Sequence, residues 1–480
     1  MWNIDEFLSG LNIDLDRLRD VFTYDPQAPM IFSSGIFLWL FVAFILVYLL
    51  LQRRTTARLL FVTLFSYYFY YKSSGTYFFL LGLVTVCDFF IARLMAREAI
   101  PWLRKAWVVL SLFINLGLLC YFKYTNFLGE TFASLTGGTF TAMDIFLPVG
   151  ISFFTFQSLS YTIDVYRRQI TPLTSLLDYA FYVSFFPQLV AGPIVRARDF
   201  IPQIRRPLFV SNEMFGRGIF LIVSGLFKKA VISDYISVNF VERIFDNPTL
   251  YSGVENLMGV YGYALQIYCD FSGYSDMAIG VAKTFGYDLC KNFDMPYLSR
   301  NPTELWQRWH ISLSTWLRDY LYIPLGGNRK GKVRTKINLM LTMLLGGLWH
   351  GANWQMVLWG ALHGGALVVH KTVREQSNRR GIHIHTLCKP CLRRTLQQGP
   401  ARGGGRPAAA EKQRGAVVRD ENEQSIRGLR LGKSRVGDAA RLQRDDQGVH
   451  AGVEHALCRE LRLLLCQPQG DGQEYRENCA

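Results

Sequence analysis

From Ile337 to His370 the chain carries no aspartate, glutamate, lysine or arginine. A surface helix of a soluble protein keeps a charged outer face, so this stretch is not one. It is also long for a single membrane span and short for two spans joined by a generous loop. Acidic residues are scarce throughout, 37 against 52 Lys and Arg, giving a net charge of +15. Up to Lys371 no soluble basic face accompanies that charge, which excludes nucleic-acid binding. The same portion lacks a Gly-x-Ser-x-Gly elbow, a His-Glu-x-x-His pair and a P-loop, and so lacks three common catalytic frames. It shows no internal repeat of the kind on which many transporters are built. No basic n-region with a short apolar core opens the chain, so the first span is expected to be an uncleaved anchor.

Long apolar runs, by contrast, are plentiful. Residues 31–52 form one, ending in Arg53-Arg54. Others cover 59–71, 77–91, 106–122, 145–163, 179–195 and 218–227, with parts of 257–279 and 337–369. This predicts an all-α, polytopic membrane helical bundle. Basic clusters at 53–58, 93–105, 167–168 and 196–206 place those connections in the cytoplasm, and the acidic segment 1–30 outside. A multi-pass protein of a bacterial inner membrane, in contact with lipid, is the expected setting.

The composition changes abruptly near residue 372. The 371 residues before it hold 56 charged side chains, and the 109 after it hold 33, about twice the density. Three regions follow: an amphipathic acidic segment 1–30, a membrane domain 31–371 and a polar tail 372–480. The tail reads as disordered or as sequence out of frame, and in the second case the membrane domain is truncated. His383, His385, Cys388 and Cys391 have zinc-like spacing but fall in this tail, so no metal is assigned.

Polar residues inside apolar sequence carry the chemistry. At helical period Trp306, His310, Leu313, Leu317 and Leu321 share one face. Pro324 and Gly326-Gly327-Asn328 then signal a turn. The basic loop that follows (Arg329, Lys330, Lys332, Arg334, Lys336) anchors the topology and could attract an anionic lipid or a phosphorylated donor. His350 lies among Gly346, Gly347 and Gly351, where a break in the helix would give it a wet cavity, with Trp349 and Asn353 beside it. Each histidine could equally be a packing residue. Asp270, Asp276 and Arg308 are further candidates to line a channel, although structural ion pairs explain the two aspartates better. Gly192-Pro193 reads as a helix break, with Arg196 as a surface anchor. Two histidines suffice for acyl transfer to a hydroxyl, one as base and one as orienter or oxyanion donor.

Five motifs carry a resemblance: FLPVGISFFTFQSLSY (146–161), FFPQLVAGPIVR (185–196), DFSGYSDMAIG (270–280), WQRWHISLSTWLRDYLYIPLGGNR (306–329) and GGLWHGANW (346–354). In this order they resemble the membrane-bound O-acyltransferase family, and within it the bacterial branch that O-acetylates alginate. The resemblance implies a ring of helices around a central tunnel. It implies His350 as the catalytic histidine and His310 as the second. No bound cofactor is implied; an acyl donor such as acetyl-CoA would be a substrate. The acceptor would be an extracytoplasmic polysaccharide, or a protein that relays the acyl group to it. D-alanyl transfer to teichoic acid, a transporter or exporter, and an inactive truncated product are the alternatives.

Overall fold

The computed structural model describes residues 21–380, residue 208 apart. The acidic segment up to residue 20 and the tail from residue 381, with its Cys/His cluster, lie outside the described residues. Among the described residues every regular element is helical.

Four helices match the first apolar runs: α1 (Gly35–Leu51), α2 (Thr55–Ser74), α3 (Phe78–Arg97) and α4 (Pro101–Leu119). A wide turn of helix, Cys120–Tyr124, joins α4 to α5 (Thr125–Thr136). Then come α6 (Ile151–Tyr166), α7 (Leu176–Ser184), α8 (Ala197–Ile204) and α9 (Asn212–Leu226). The long α10 (Gly253–Thr284) starts in a capping box formed by Ser252 and Glu255. The last four are α11 (Pro302–Arg308), α12 (Ile311–Leu317), α13 (Lys332–His350) and α14 (Trp354–Arg379).

The stretches Thr55–Arg97 and Pro101–Thr136 are long and apolar enough to cross a membrane; Gly35–Leu51 is apolar but has 17 residues. In the most apolar window of Pro101–Thr136 only 17% is covered by the rest of the chain. Large side chains such as Trp39, Leu50, Phe113 and Leu135 are three-quarters or more exposed. So much bare apolar surface is unstable in water and stable in hydrocarbon.

Polar groups inside this bundle pair with one another. Asp88 of α3 accepts hydrogen bonds from Ser111 Oγ (2.6 Å), Asn115 Nδ2 (2.7 Å) and Ser158 Oγ, and all four residues are fully buried. Their network ties α3, α4 and α6 together, and Tyr179 of α7 joins through Ser158. Helices α9 and α10 touch backbone to backbone. A Cβ on Gly225 would lie 2.5 Å from the Gly273 carbonyl oxygen, so this crossing requires small residues.

Four expectations are corrected. Run 179–195 is not one helix. It stops after α7, makes the single turn Phe186–Leu189, and continues as buried coil. Arg196 is not a surface anchor, because its buried guanidinium holds Asp319 at 2.5 Å. The helix carrying Trp306 does not continue through His310. It ends at Arg308 and restarts at Ile311. Finally, α14 runs past the composition change at 372, ending at Arg379.

Candidate active site

Two interruptions in helices build the site. The first is the joint Trp309-His310 between α11 and α12. His310 there has φ +43°, a left-handed conformation that histidine adopts more readily than most residues. Such conformations persist only where the surroundings hold them. Here the Asp294 amide donates to the Arg308 carbonyl (2.9 Å), and the Ile311 amide to the Asn292 carbonyl (2.8 Å). The buried Asn292 side chain also accepts from Ser312 Oγ and donates to Ser275 Oγ of α10.

The second interruption is the tip of the hairpin α13–α14. His350 is the final residue of α13. Gly351, Ala352 and Asn353 turn the chain, and Asn353 Oδ1 accepts the Met356 amide (2.8 Å) as the cap of α14. The hairpin explains the awkward length of the uncharged stretch: it holds the inner parts of two helices whose charged ends lie outside it. Gly346 and Gly347 do not break the helix, contrary to expectation. Gly347 lets α14 approach, since a Cβ there would meet the Met356 carbonyl oxygen at 2.3 Å and Gly360 Cα at 2.9 Å.

These two interruptions meet. The rings of His310 and His350 have centroids 6.2 Å apart, and Trp349 packs 6.1 Å from His310. Trp359 lies 5.2 Å from His350 and 4.4 Å from His363, which in turn contacts Trp306 at 5.3 Å. His310 is buried, whereas His350 is open. Both ring nitrogens of His310, and the indole nitrogens of Trp306 and Trp349, have no hydrogen-bond partner among the described residues. Buried polar atoms usually have one, so these four nitrogens stand unsatisfied beside His350.

Two cavities share the His350, Trp306 and Trp359 side chains. One, of about 570 Å³, runs between α12, α13 and α14 to Arg318, Asn328, Lys371 and Arg374 beside the basic loop. The other, of about 690 Å³, is lined by Lys123, Phe271, His310, Trp349 and His363. Both have the volume and mainly apolar lining of small-molecule sites, with a few polar groups.

Of the expected site residues, the fold thus brings His310, His350 and Trp349 together. Asp270 pairs with Lys229 (2.6 Å) and Asp276 with Lys228 (2.6 Å). Arg308 is held by Glu304 (3.0 Å), and Asn353 is a helix cap. Those four line neither of these two cavities, and the two aspartates are in the structural ion pairs expected of them. The cavities add Lys123, Trp306, Trp359 and His363, none of which was singled out as a site residue from sequence. Lys123 had left a signal, a lone charge in the aromatic run Tyr121–Tyr124. Among the described residues no cluster of three His, Cys, Asp or Glu is arranged to hold a metal.

Residues 166–383 match the membrane-bound O-acyltransferase family. The chain belongs to that family. It is 43% identical over 302 residues to the probable alginate O-acetylase AlgI of Azotobacter vinelandii, covering 62% of this chain and 60% of that protein. The protein of that name from Pseudomonas aeruginosa is 41% identical over 352 residues, 72% of this chain and 66% of the relative. The peptidoglycan O-acetyltransferase of Helicobacter pylori is 39% identical over 312 residues, 60% of this chain and 59% of the relative. The chain therefore spans about three-fifths of the length of these relatives. In a family of membrane acyltransferases, a histidine open to two cavities is a natural place for donor and acceptor to meet.

Proposed function

We propose that this chain is a multi-pass inner-membrane O-acyltransferase that moves an acetyl group onto an extracytoplasmic polysaccharide. One observation carries the reading: His350 stands where the two cavities meet, with His310 beside it. The cavity ending at Arg318, Lys371 and Arg374 opens on the cytoplasmic side by the positive-inside bias and takes an acetyl thioester such as acetyl-CoA. Its cationic mouth suits a phosphorylated donor, and its apolar interior suits the acyl end. The second cavity takes the acceptor hydroxyl, borne by the polymer or by a relay protein. The relatives named for alginate and peptidoglycan O-acetylation support acetyl as the acyl group.

The chemistry needs one base. His350 removes the hydroxyl proton as the acceptor oxygen attacks the acyl carbonyl. The carbonyl electron pair moves to oxygen, making an oxyanion. Collapse re-forms the carbonyl and expels the thiolate, which takes the proton from the imidazolium. His310, locked by Asn292 and Ser312, orients the reacting group or donates a hydrogen bond to it. The two shared tryptophans exclude water, which would otherwise hydrolyse the thioester.

The test uses purified protein in vesicles, an acetyl thioester and an oligosaccharide acceptor. Transfer without any ion gradient, abolished in His350→Ala, is expected. Strict dependence on a membrane potential would make the chain a transporter, and activity in His350→Ala would remove the base.

A further inference from the structure

The second cavity is lined by one cation, Lys123, that no carboxylate holds among the described residues. Lys123 sits in the widened turn Cys120–Tyr124, between α4 and α5. Wide turns of this kind interrupt the regular helical ladder and occur often at functional sites. This one presents two consecutive residues to the end of α13. Lys123 Nζ donates to the Trp349 carbonyl and Tyr124 Oη to the Leu348 carbonyl (2.9 Å). Both carbonyls belong to the last turn of the helix that ends in His350, where free carbonyls attract a positive charge.

A neutral donor would satisfy a carbonyl, as Tyr124 demonstrates one residue away. Lys123 brings a full charge into apolar surroundings, which is costly without a carboxylate partner. None is paired with it among the described residues. Its neighbours are Ser152 Oγ at 3.5 Å and the Trp349 ring, whose centroid is 5.5 Å away. Its side chain also lines the cavity that contains His310, His350 and His363. An ammonium has three N–H donors; the Trp349 carbonyl takes one and Ser152 Oγ, at 3.5 Å, a second, which leaves one.

We propose that Lys123 is a catalytic residue of the transfer, the cation that meets the acyl oxygen as it becomes an oxyanion. The proposal rests on the acyltransferase reading above. During attack the carbonyl electron pair moves onto the acyl oxygen, and Lys123 donates a hydrogen bond to it; on collapse the pair returns and the thiolate leaves. No proton leaves Lys123. Because the charge exists only in the transition state and intermediate, the interaction raises kcat rather than tightening donor binding. Tyr124 serves only to hold the helix end.

The experiment compares the parent, Lys123→Met, Lys123→Arg, Tyr124→Phe and His350→Ala in vesicles, measuring kcat and KM for the thioester together with melting temperature. Lys123→Met should lower kcat by about 10²-fold, the usual loss for one oxyanion donor, at little-changed KM and melting temperature. Lys123→Arg should recover most of the rate, and Tyr124→Phe should keep kcat. Parental kcat in Lys123→Met overturns the proposal. Equal losses in Lys123→Met and Tyr124→Phe also overturn it, leaving Lys123 as a helix clamp. If Lys123→Met fails to fold, Lys123→Arg and Lys123→Gln decide: parental kcat in the uncharged variant alone is a refutation. A parent that transfers nothing defeats the acyltransferase reading, and the proposal with it.

Discussion

Gly347→Ala adds one methyl group, yet the hairpin geometry gives it a large effect. The new Cβ would stand 2.3 Å from the Met356 carbonyl oxygen and 2.9 Å from Gly360 Cα, and both are backbone atoms. Neither can rotate away, so α13 and α14 must separate by about 1 Å to restore ordinary contact. Overpacking of this kind costs about 1–3 kcal/mol of stability. Function should suffer more, because His350 is three residues away on the same helix. A misplacement of about 1 Å at reacting groups costs on the order of 10²-fold in rate. The assay is transferase activity per folded molecule in vesicles, with melting temperature measured in parallel. Gly365→Ala on α14 is the control, since nothing lies within 4 Å of a Cβ there. A Gly347→Ala variant with parental activity would show that the close crossing does not set the position of His350.

Other substitutions separate structural from chemical roles. Asn353→Ala should cost about 1 kcal/mol through loss of the α14 cap, leave kcat unchanged, and be repaired by Asn353→Ser. Asp88→Ala leaves the Ser111, Asn115 and Ser158 donors facing an apolar gap and should destabilise the bundle by about 3 kcal/mol, read as a lower melting temperature. Asp319, outside the candidate spans, is opposed by burial, but the Arg318 hydrogen bond and the charges of Arg196 and Arg318 outweigh this and hold its carboxyl below the usual carboxylate range. Its contribution is therefore present at neutral pH and lost as pH falls through that lowered value. Asp319→Asn should lower the melting temperature at pH 7 and flatten its decline below about pH 4.

Much of this was legible in the sequence because hydrocarbon imposes simple rules. Apolar runs marked α1 to α4, and a histidine between glycines marked a break in the helical backbone. The break at His310 was not legible. Residues 302–321 have an unbroken helical pattern, and what stops the helix is Asn292, eighteen residues upstream, which captures the Ile311 amide through its carbonyl and Ser312 through its side chain. Arg196 misled for a related reason. A charge after Gly-Pro reads as a surface residue until Asp319, more than a hundred positions away, is brought against it. Apart from its aromatic neighbours, nothing around Lys123 in the sequence distinguishes it from any lysine at the end of an apolar run. Only the fold turns it onto the carbonyls of α13. Asp270 and Asp276 read better as ion-paired residues than as channel lining, and Lys229 and Lys228 from the turn after α9 are the partners that sequence could not name.

The most direct test concerns His350. Base-labile acetate would be measured on the surface polysaccharide of a host lacking its own acetylase, in cells carrying the parent or His350→Ala, at equal amounts of membrane-inserted protein. Acetate with the parent and background levels with His350→Ala is the predicted result. Equal acetate from both would contradict a base at the meeting point of the two cavities.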